Sequence, residues 1–162
     1  MKTGKLSLPD GRTVEIRICT TGDMDQIMLL EADCFGPDAW SREFIMHILP
    51  LALFLGLFCE GEMAGYGVLS IRRGILHIDN LAVKKGYRRM HLGSRLLEIM
   101  LFIGRKNHCH EALLQVETNN RGALSLYEKF GFRKVRELKG YYHRQGHPEG
   151  DAWEMEKDLS QD

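Results

Sequence analysis

The hydrophobic pattern of this chain changes once, near residue 83, and that change limits the folds that the chain can adopt. Before it, three apolar runs separated by short turns are typical of an antiparallel meander; they occupy residues 53–58, 63–71 and 75–83. After it, apolar residues recur at the spacing of an amphipathic helix, at Leu92, Leu96, Ile99 and Ile103. Because such a helix returns the chain to the sheet, we expect parallel crossovers in the second half.

The other elements complete a mixed pattern of strands and helices. In chain order they are a strand at 14–18, a helix capped near residues 20–23, a helix from Ser41 to Ile48, a strand at 112–117, a helix from Asn120 to Gly131, and strands at 134–138 and 152–155. This order predicts an α+β fold with a mixed sheet rather than an alternating doubly wound one. The length of 162 residues suits one compact domain, and we expect a single domain over 1–162.

Composition argues against several classes of function. Lys plus Arg equals Asp plus Glu, at 22 each, so no basic excess points to a nucleic-acid partner. The most apolar stretch, residues 48–59, contains Pro50 and Gly56 and is too short to span a bilayer, and the polar N-terminus shows no signal peptide. The four cysteines form no CxxC pair, so we expect free thiols, no metal site and a cytoplasmic location.

A basic loop joins the strand that ends at Val83 to the helix that starts near Gly93. The first amides of a helix have no partner within it and form an anion site with the helix dipole. Arg88 and Arg89 add donors suited to phosphate. Taken alone, these residues fit a phosphate site and a loop that merely turns the chain equally well.

The segment HIDNLAVKKGYRRMHLGSRLL, residues 77–97, resembles motif A of the GNAT acetyltransferases, Arg/Gln-x-x-Gly-x-Gly/Ala. The resemblance implies a GNAT acyl-CoA N-acyltransferase fold, with a mostly antiparallel central sheet splayed at the acetyl-CoA site and flanked by helices. It also implies two sets of acetyl-CoA contacts. Backbone groups of the central strand would hold the acetyl and pantetheine groups, at Leu81, Ala82 and Val83. The loop would hold the pyrophosphate, at Arg88, Arg89, Met90, His91, Leu92, Gly93 and Ser94.

His91 departs from this pattern, because it stands where the family has its first glycine. If the position needs a positive φ, a non-glycine residue is strained there, although histidine is among the better tolerated. The amide of His91 still donates, so we expect acetyl-CoA binding to survive. The imidazole would then face outward or toward the 3′-phosphate of the co-substrate.

The segment NRGALSLYEKFGF, residues 120–132, resembles motif B of the same family and matches each of its fixed positions. The resemblance implies that Asn120 hydrogen-bonds the pantetheine arm and that Tyr127 lies beside the thioester sulfur. A phenol of pKa near 10 can donate to a thiolate of pKa near 8.5, with little driving force. The alternative is a core aromatic at Tyr127 and a helix cap at Asn120.

Two further segments resemble the ribosomal-protein-alanine N-acetyltransferase (RimI-like) branch of the family. They are EADCFGPDAWS at 31–41, and a closing element from Tyr141 to Met155 that resembles Tyr-Tyr … Glu-Asp-Ala-x-x-Met. The resemblance implies acceptor-binding residues at Phe35, Trp40, Tyr141 and Tyr142. It also implies a protein or peptide N-terminus as the acceptor.

The general base is the second departure from the family pattern. The branch places a glutamate five residues before the motif B asparagine, where this chain has Gln115. Glutamine takes no proton but can orient a water. His77 is the first candidate base because histidine titrates near neutrality. Glu117 is the second, because it shares a strand face with Gln115. Each of the two is also consistent with an ordinary polar residue at a strand surface.

Three functions stay open at this point. The leading one is acetylation of an N-terminal α-amine, whose pKa of about 7.7–8.0 leaves part of it neutral, unlike a lysine of pKa about 10.4. The second is acetylation of a small amine. The third is a non-catalytic module that senses CoA, which the departures at His91 and Gln115 favour. The sequence leaves open whether the chain is a monomer or a homodimer.

Overall fold

The computed structural model of the protein describes residues 4–141 and 150–160. Within them the strands are β1 (Gly4–Ser7), β2 (Thr13–Ile18), β3 (Leu53–Cys59), β4 (Glu62–Arg72), β5 (Ile75–Val83), β6 (Glu111–Glu117), β7 (Arg133–Leu138) and β8 (Ala152–Asp158). The α-helices are α1 (Met24–Phe35), α2 (Arg42–Ile48), α3 (Leu92–Lys106) and α4 (Arg121–Lys129). Short 3-10 helices occupy Thr21–Asp23, Gly36–Asp38 and Lys85–Tyr87. None of the described helices is long and apolar enough to cross a bilayer.

Side-chain caps start the helices where the sequence predicts them. The Thr20 side chain caps the 3-10 turn before α1, and the Asp23 carboxylate accepts the Thr20 N–H at 2.8 Å, which completes a capping box. Ser41 Oγ accepts the Phe44 N–H at 3.1 Å at the start of α2. Asn120 Oδ1 accepts the Ala123 N–H at 3.1 Å at the start of α4. Each cap satisfies an amide that has no partner within its helix.

Two hairpin turns explain the tight meander. Glu60 and Gly61 have φ of 52° and 83°, and Arg73 and Gly74 have φ of 53° and 76°. Positive φ at both positions is the mark of a type I′ loop, whose backbone twist matches the twist of the strands. Glycine takes this conformation without strain. The predicted turns are therefore confirmed.

The chain divides into two compact units, and the first comprises residues 1–70 and 80–98. Its strands follow the order β1, β2, β3, β4 and the second half of β5. β2 pairs antiparallel with β1 and β3, and β3 pairs antiparallel with β4. α1 and α2 contribute Ile27 and Ile45 to a buried core that also contains Phe54 and Tyr66. The rings of Phe54 and Tyr66 stack with centroids 6.3 Å apart.

The second unit comprises residues 71–79 and 99–162. Its strands follow the order β5, β6, β8, β7, with β5 and β6 parallel and the other pairs antiparallel. The second half of α3 and helix α4 belong to this unit. Leu76, Met100, Leu114 and Met155 are fully buried.

The predicted α+β fold with a mostly antiparallel mixed sheet is confirmed. One strand is new: β1 lies within the first dozen residues, where the sequence shows no apolar run. Its four residues pair with the outer side of β2, from Gly4↔Ile16 to Ser7↔Thr13. A second difference is the 3-10 turn Lys85–Tyr87 in the basic loop. Such short elements depend on their neighbours more than on local periodicity.

Candidate functional site

We call residues 84–93 the phosphate loop, because this segment carries the predicted anion site. Arg89 and His91 both adopt left-handed backbone, with φ of 63° and 62°. Helix α3 then begins at Leu92, and its first turn closes with the Arg95 N–H donating to the His91 carbonyl at 3.0 Å. The amides of Leu92, Gly93 and Ser94 therefore precede the first intrahelical bond and point toward the loop. The loop and the helix start have the geometry that binds anions.

His91 adopts the positive φ that the missing glycine would have supplied. A non-glycine residue in this region costs roughly 1–2 kcal/mol. The side chain of His91 is exposed, so the imidazole does not crowd the loop. His91 therefore holds a backbone conformation that glycine adopts without strain, at some cost to stability.

Tyr87 anchors the phosphate loop to the first unit. Its side chain is buried, and its hydroxyl donates to Glu62 Oε2 at 3.1 Å. Burial, followed by the contact with Glu62, raises the pKa of Tyr87 to about 12, so the phenol stays neutral. Lys84 forms an ion pair with the same carboxylate, and the Arg12 guanidinium lies 5.0 Å above the Tyr87 ring. These contacts hold the loop at the hydroxyl and at the ring of one aromatic anchor.

The end of β5 presents backbone groups beside the loop. The Val83 carbonyl accepts Arg88 Nε at 3.2 Å and Cys34 Sγ at 3.5 Å. Behind it, Gly65 lies so close to β5 that a Cβ would be 2.8 Å from the Ala82 carbonyl oxygen. Ala82 is buried, whereas Leu81 and Val83 are partly exposed. The predicted strand segment therefore has one buried and two accessible residues.

Glu31 is a buried carboxylate for which the sequence gives no role. It is 1% exposed, and its Oε2 accepts the Trp40 N–H at 2.8 Å. Its Oε1 accepts from the Tyr66 hydroxyl and from Asn80 Nδ2. One side chain thus ties α1, the segment before α2, β4 and β5 together. In the sequence Glu31 stood out only as the first residue of the segment 31–41. Its hydrogen-bond partners lie up to 49 residues away along the chain, so no local pattern revealed them.

The predicted acceptor-binding residues fall into both units. Phe35 and Trp40 pack partly buried against the core of the first unit, and the Trp40 ring meets Phe44 edge-on at 5.0 Å. Tyr141 belongs to the second unit and is 50% exposed. Tyr142 lies outside the described residues. These assignments stay predictions.

Tyr127 is buried in the second unit, where its ring meets Phe132 edge-on at 5.8 Å. Burial raises the pKa of Tyr127 to about 12. The phenol therefore keeps its proton at neutral pH and is a weaker acid than the sequence alone suggests. It is better suited to donating a hydrogen bond to a developing thiolate than to complete transfer before the C–S bond breaks.

Asn120 has a geometry that is compatible with both roles that the sequence left open. Its oxygen caps α4, as described above, and this is the cap function. The role that the family resemblance implies needs only its amide nitrogen, which is a donor on an exposed side chain. The cap and the pantetheine contact are therefore compatible.

The candidate bases share one face of the second unit. His77 is opposite Leu113 on the neighbouring strand. Every second residue of a strand lies on the same face, so Leu113, Gln115 and Glu117 share one face of β6. Burial, followed by the charge of Arg72, lowers the pKa of His77, while Asp79 and Glu154 oppose the shift. His77 is therefore neutral near pH 7, as a base must be.

Glu154 lies on the same face, and the sequence did not single it out. It is directly opposite Gln115 in the β6–β8 register, and Gln115 Nε2 donates to Glu154 Oε1 at 3.2 Å. Arg136 donates to Glu154 Oε2 through Nε at 2.9 Å. The proximity depends on strand pairing across 39 residues, which local sequence patterns do not reveal.

The four cysteines are free thiols, and Cys34 is the partly exposed one. Its Sγ lies 3.7 Å from an Arg88 terminal nitrogen, at the edge of the phosphate loop. Burial raises the pKa of Cys34, although Arg88 opposes this effect. The thiol is therefore not activated at neutral pH.

Comparison with known proteins agrees with this geometry. The profile of the acetyltransferase (GNAT) family matches residues 24–132. An N-alpha-acetyltransferase of Sulfolobus acidocaldarius is 30% identical over 142 residues, which cover 79% of this chain and 84% of that protein. An N-alpha-acetyltransferase of Sulfurisphaera tokodaii is 28% identical over 146 residues, which cover 82% and 87% of the two chains.

A solved structure, the ribosomal-protein-S18-alanine N-acetyltransferase of Escherichia coli, has a TM-score of 0.83 and 25% identity. The match covers 92% of this chain and 96% of that one. The resemblance to the family and to its RimI-like branch is therefore confirmed. With the profile matching well over half of its length, this chain belongs to the acetyltransferase (GNAT) family.

Proposed function

We propose that this chain transfers the acetyl group of acetyl-CoA to the N-terminal α-amine of a protein or peptide, by direct attack in a ternary complex. The observation that carries the proposal is the phosphate loop, with its two left-handed residues leading into the start of α3. It accompanies an intact motif B within a chain of this family. Relatives named for N-alpha and ribosomal-protein-alanine acetylation support the choice of acceptor.

In this proposal the first unit holds the nucleotide end of acetyl-CoA. The pyrophosphate accepts hydrogen bonds from the loop amides up to Ser94, and Arg88 and Arg89 supply positive charge. Backbone groups of residues 81–83 bind the pantetheine amides and the acetyl carbonyl. Asn120 donates to the pantetheine arm, as the family resemblance implies.

The chemistry forms one bond and breaks one. The neutral amine attacks the thioester carbonyl, the N–C bond forms, and the C–S bond then breaks. The amine loses one proton to a base, and the leaving sulfur gains one from the Tyr127 hydroxyl. The products are the acetylated amine and CoA as a free thiol. The base then releases its proton to solvent and Tyr127 takes one back, so protons balance.

An α-amine suits the groups available for catalysis. Its pKa of about 7.7–8.0 leaves a useful neutral fraction near pH 7, whereas a lysine amine of pKa about 10.4 is almost wholly charged. No strong base is then needed to prepare the nucleophile. Acetyl-CoA as co-substrate, a cytoplasmic location and a monomeric or homodimeric state are further parts of the proposal.

Release of free thiol from acetyl-CoA tests this function. The acceptors are peptides that differ in their first residue, each compared with the same peptide blocked at its N-terminus, together with free lysine, a polyamine and an aminoglycoside. We expect turnover with free N-termini and none with blocked ones. Turnover confined to small amines would contradict the proposal, and CoA binding without any turnover would favour a sensor.

A further inference from the structure

The face of the second unit that carries the candidate bases has a glutamine on β6 beside a glutamate on β8. Position 115 on β6 holds a glutamine where the RimI-like branch has a glutamate. The residue directly across the ladder on β8 is Glu154. The side chains touch, with Gln115 Nε2 donating to Glu154 Oε1 at 3.2 Å. A carboxylate is thus present one strand away from position 115, on the same face.

Glu154 is held as a functional carboxylate would be. Its side chain is only 12% exposed, and Arg136 reaches its Oε2 with a terminal nitrogen at 2.6 Å. A carboxylate offers about four lone-pair sites, and Gln115 uses one of those on Oε1. Oε1 can therefore accept a further hydrogen bond, while Arg136 and Gln115 fix the orientation of the carboxylate.

A β-bulge provides this arrangement. The register of β7 against β8 shifts between Lys134 and Arg136, so Arg133 faces Glu156 and Arg136 faces Glu154. In a regular strand, residues three apart point to opposite faces, and only the extra residue at the bulge puts both arginines on one face. The strand thus provides a clamp for Glu154 that uninterrupted alternation would not give.

We propose that Glu154 is the proton acceptor for the attacking amine, in the role that a glutamate at position 115 has in the RimI-like branch. This inference rests on the proposed function. As the amine nitrogen bonds to the thioester carbon, its N–H proton passes to Glu154 Oε1, directly or through one water. The sulfur takes its proton from Tyr127. After product release Glu154 returns its proton to solvent, and Tyr127 regains one from solvent.

The surroundings of Glu154 assign distinct parts to its neighbours. Gln115 is a positioning residue, because it donates to the carboxylate and takes no proton. Arg136 pairs with the carboxylate and holds it in place. His77 lies on the same face, and its charge would repel a cationic amine, so its lowered pKa favours acceptor binding near pH 7.

Glu156 provides a matched control. It lies two residues along β8 on the same face, is opposite Leu113, and pairs with Arg133 at 2.6 Å just as Glu154 pairs with Arg136. Removing either carboxylate costs one ion pair with a β7 arginine. Only Glu154 contacts position 115.

The test measures kcat and both KM values with a peptide acceptor for four proteins: the wild type, Glu154→Gln, Glu156→Gln and the double variant Gln115→Glu/Glu154→Gln. We expect Glu154→Gln to lower kcat roughly 100-fold, which is typical of losing a general base, with KM for acetyl-CoA unchanged. Glu156→Gln should keep wild-type kcat. The double variant should recover most of the lost kcat, because it returns the carboxylate to β6.

The outcomes separate this inference from the function on which it rests. Wild-type kcat in Glu154→Gln would overturn the inference and leave the acetyltransferase function intact. So would an equal loss in Glu156→Gln, or a double variant as slow as Glu154→Gln, because both point to a structural role. A wild-type protein that acetylates no peptide would overturn the proposed function and this inference together.

Discussion

At the scale of single residues, Tyr127 has a packing role, and the proposed function gives it a chemical role as well. Its ring fills the second unit against Phe132, while its hydroxyl carries the only proton that the proposal assigns to the leaving thiol. Tyr127→Phe keeps the ring and removes the proton. We expect kcat to fall roughly 100-fold, within the usual range for a general acid.

The measurement for Tyr127→Phe is steady-state kinetics beside direct titration of CoA binding. CoA affinity should stay at the wild-type value, because the ring is retained. A variant that keeps wild-type kcat would remove Tyr127 from the mechanism. A variant that loses CoA affinity would indicate a binding role instead.

Glu31 gives a second prediction at this scale. Glu31→Ala leaves the Trp40 amide, the Tyr66 hydroxyl and the Asn80 amide without their buried acceptor. Each buried donor left unsatisfied costs about 1–3 kcal/mol, so the free energy of unfolding should fall by about 3 kcal/mol or more.

Urea unfolding measures this loss. Glu43→Ala on α2 is the control, because Glu43 is exposed and surface changes usually stay within about 0.5 kcal/mol. A loss in Glu31→Ala no larger than in Glu43→Ala would show that the network contributes little to stability.

Sequence reasoning identified residues whose role depends on chain neighbours and missed those whose role depends on strand pairing. The caps at Ser41 and Asn120 follow from a polar side chain before an apolar period, and both are present. Glu31 and Glu154 gain their partners 9 to 49 residues away, through the sheet. No local pattern marks a residue of that kind.

At the scale of elements, the phosphate loop depends on the backbone at His91. At a φ of 62° valine is strained because it is β-branched, whereas glycine adopts this φ without strain. We expect His91→Val to raise KM for acetyl-CoA about tenfold, because the loop geometry is disturbed. This corresponds to a loss of about 1.4 kcal/mol of binding free energy. His91→Gly should leave that KM unchanged or lower it.

The peptide KM serves as the internal reference for this pair of variants. It should stay constant, because His91 lies in the segment assigned to the nucleotide. Equal KM values for acetyl-CoA in His91→Val and His91→Gly would show that the left-handed backbone does not matter for binding.

Most elements were predictable because their patterns are long and periodic. α3 begins at Leu92, one residue before the predicted start near Gly93, and the meander strands end within two residues of their predicted bounds. β1 was not predictable, since four residues with one large apolar side chain carry too little periodicity. The bulge in β7 was equally hidden, because bulges are set by the partner strand.

At the scale of the whole molecule, His77 makes stability depend on pH. Its folded-state pKa lies below the ordinary value of about 6.5, because burial and Arg72 outweigh Asp79 and Glu154. The unfolded chain therefore binds more protons, and the free energy of unfolding should fall as pH drops through about 6.5 toward the folded pKa.

His77→Gln isolates this contribution. Other groups also make the free energy of unfolding depend on pH. Arg17 lowers the pKa of Asp23, so the stability that Asp23 contributes is lost only below the ordinary pKa range of an aspartate. Burial raises the pKa of Glu111, so Glu111 changes stability in the direction opposite to His77. The difference between wild type and His77→Gln removes both. We expect urea unfolding from pH 7.5 to 5.5 to show a steeper loss in the wild type, and parallel curves would contradict the assignment.

The bulge in β7 has a consequence for how this chain can change in length. β7 is the last strand in its order and its residues are mostly exposed, so an insertion or a deletion there would be expected to do little harm. Any side chain at Val135 preserves the phase of the strand. Deleting that single position places Arg136 two residues after Arg133, so regular alternation still puts both arginines on the face of Glu154. The extra residue is therefore dispensable for the pairing of Arg136 with Glu154, and β7 can lose one residue without losing this ion pair.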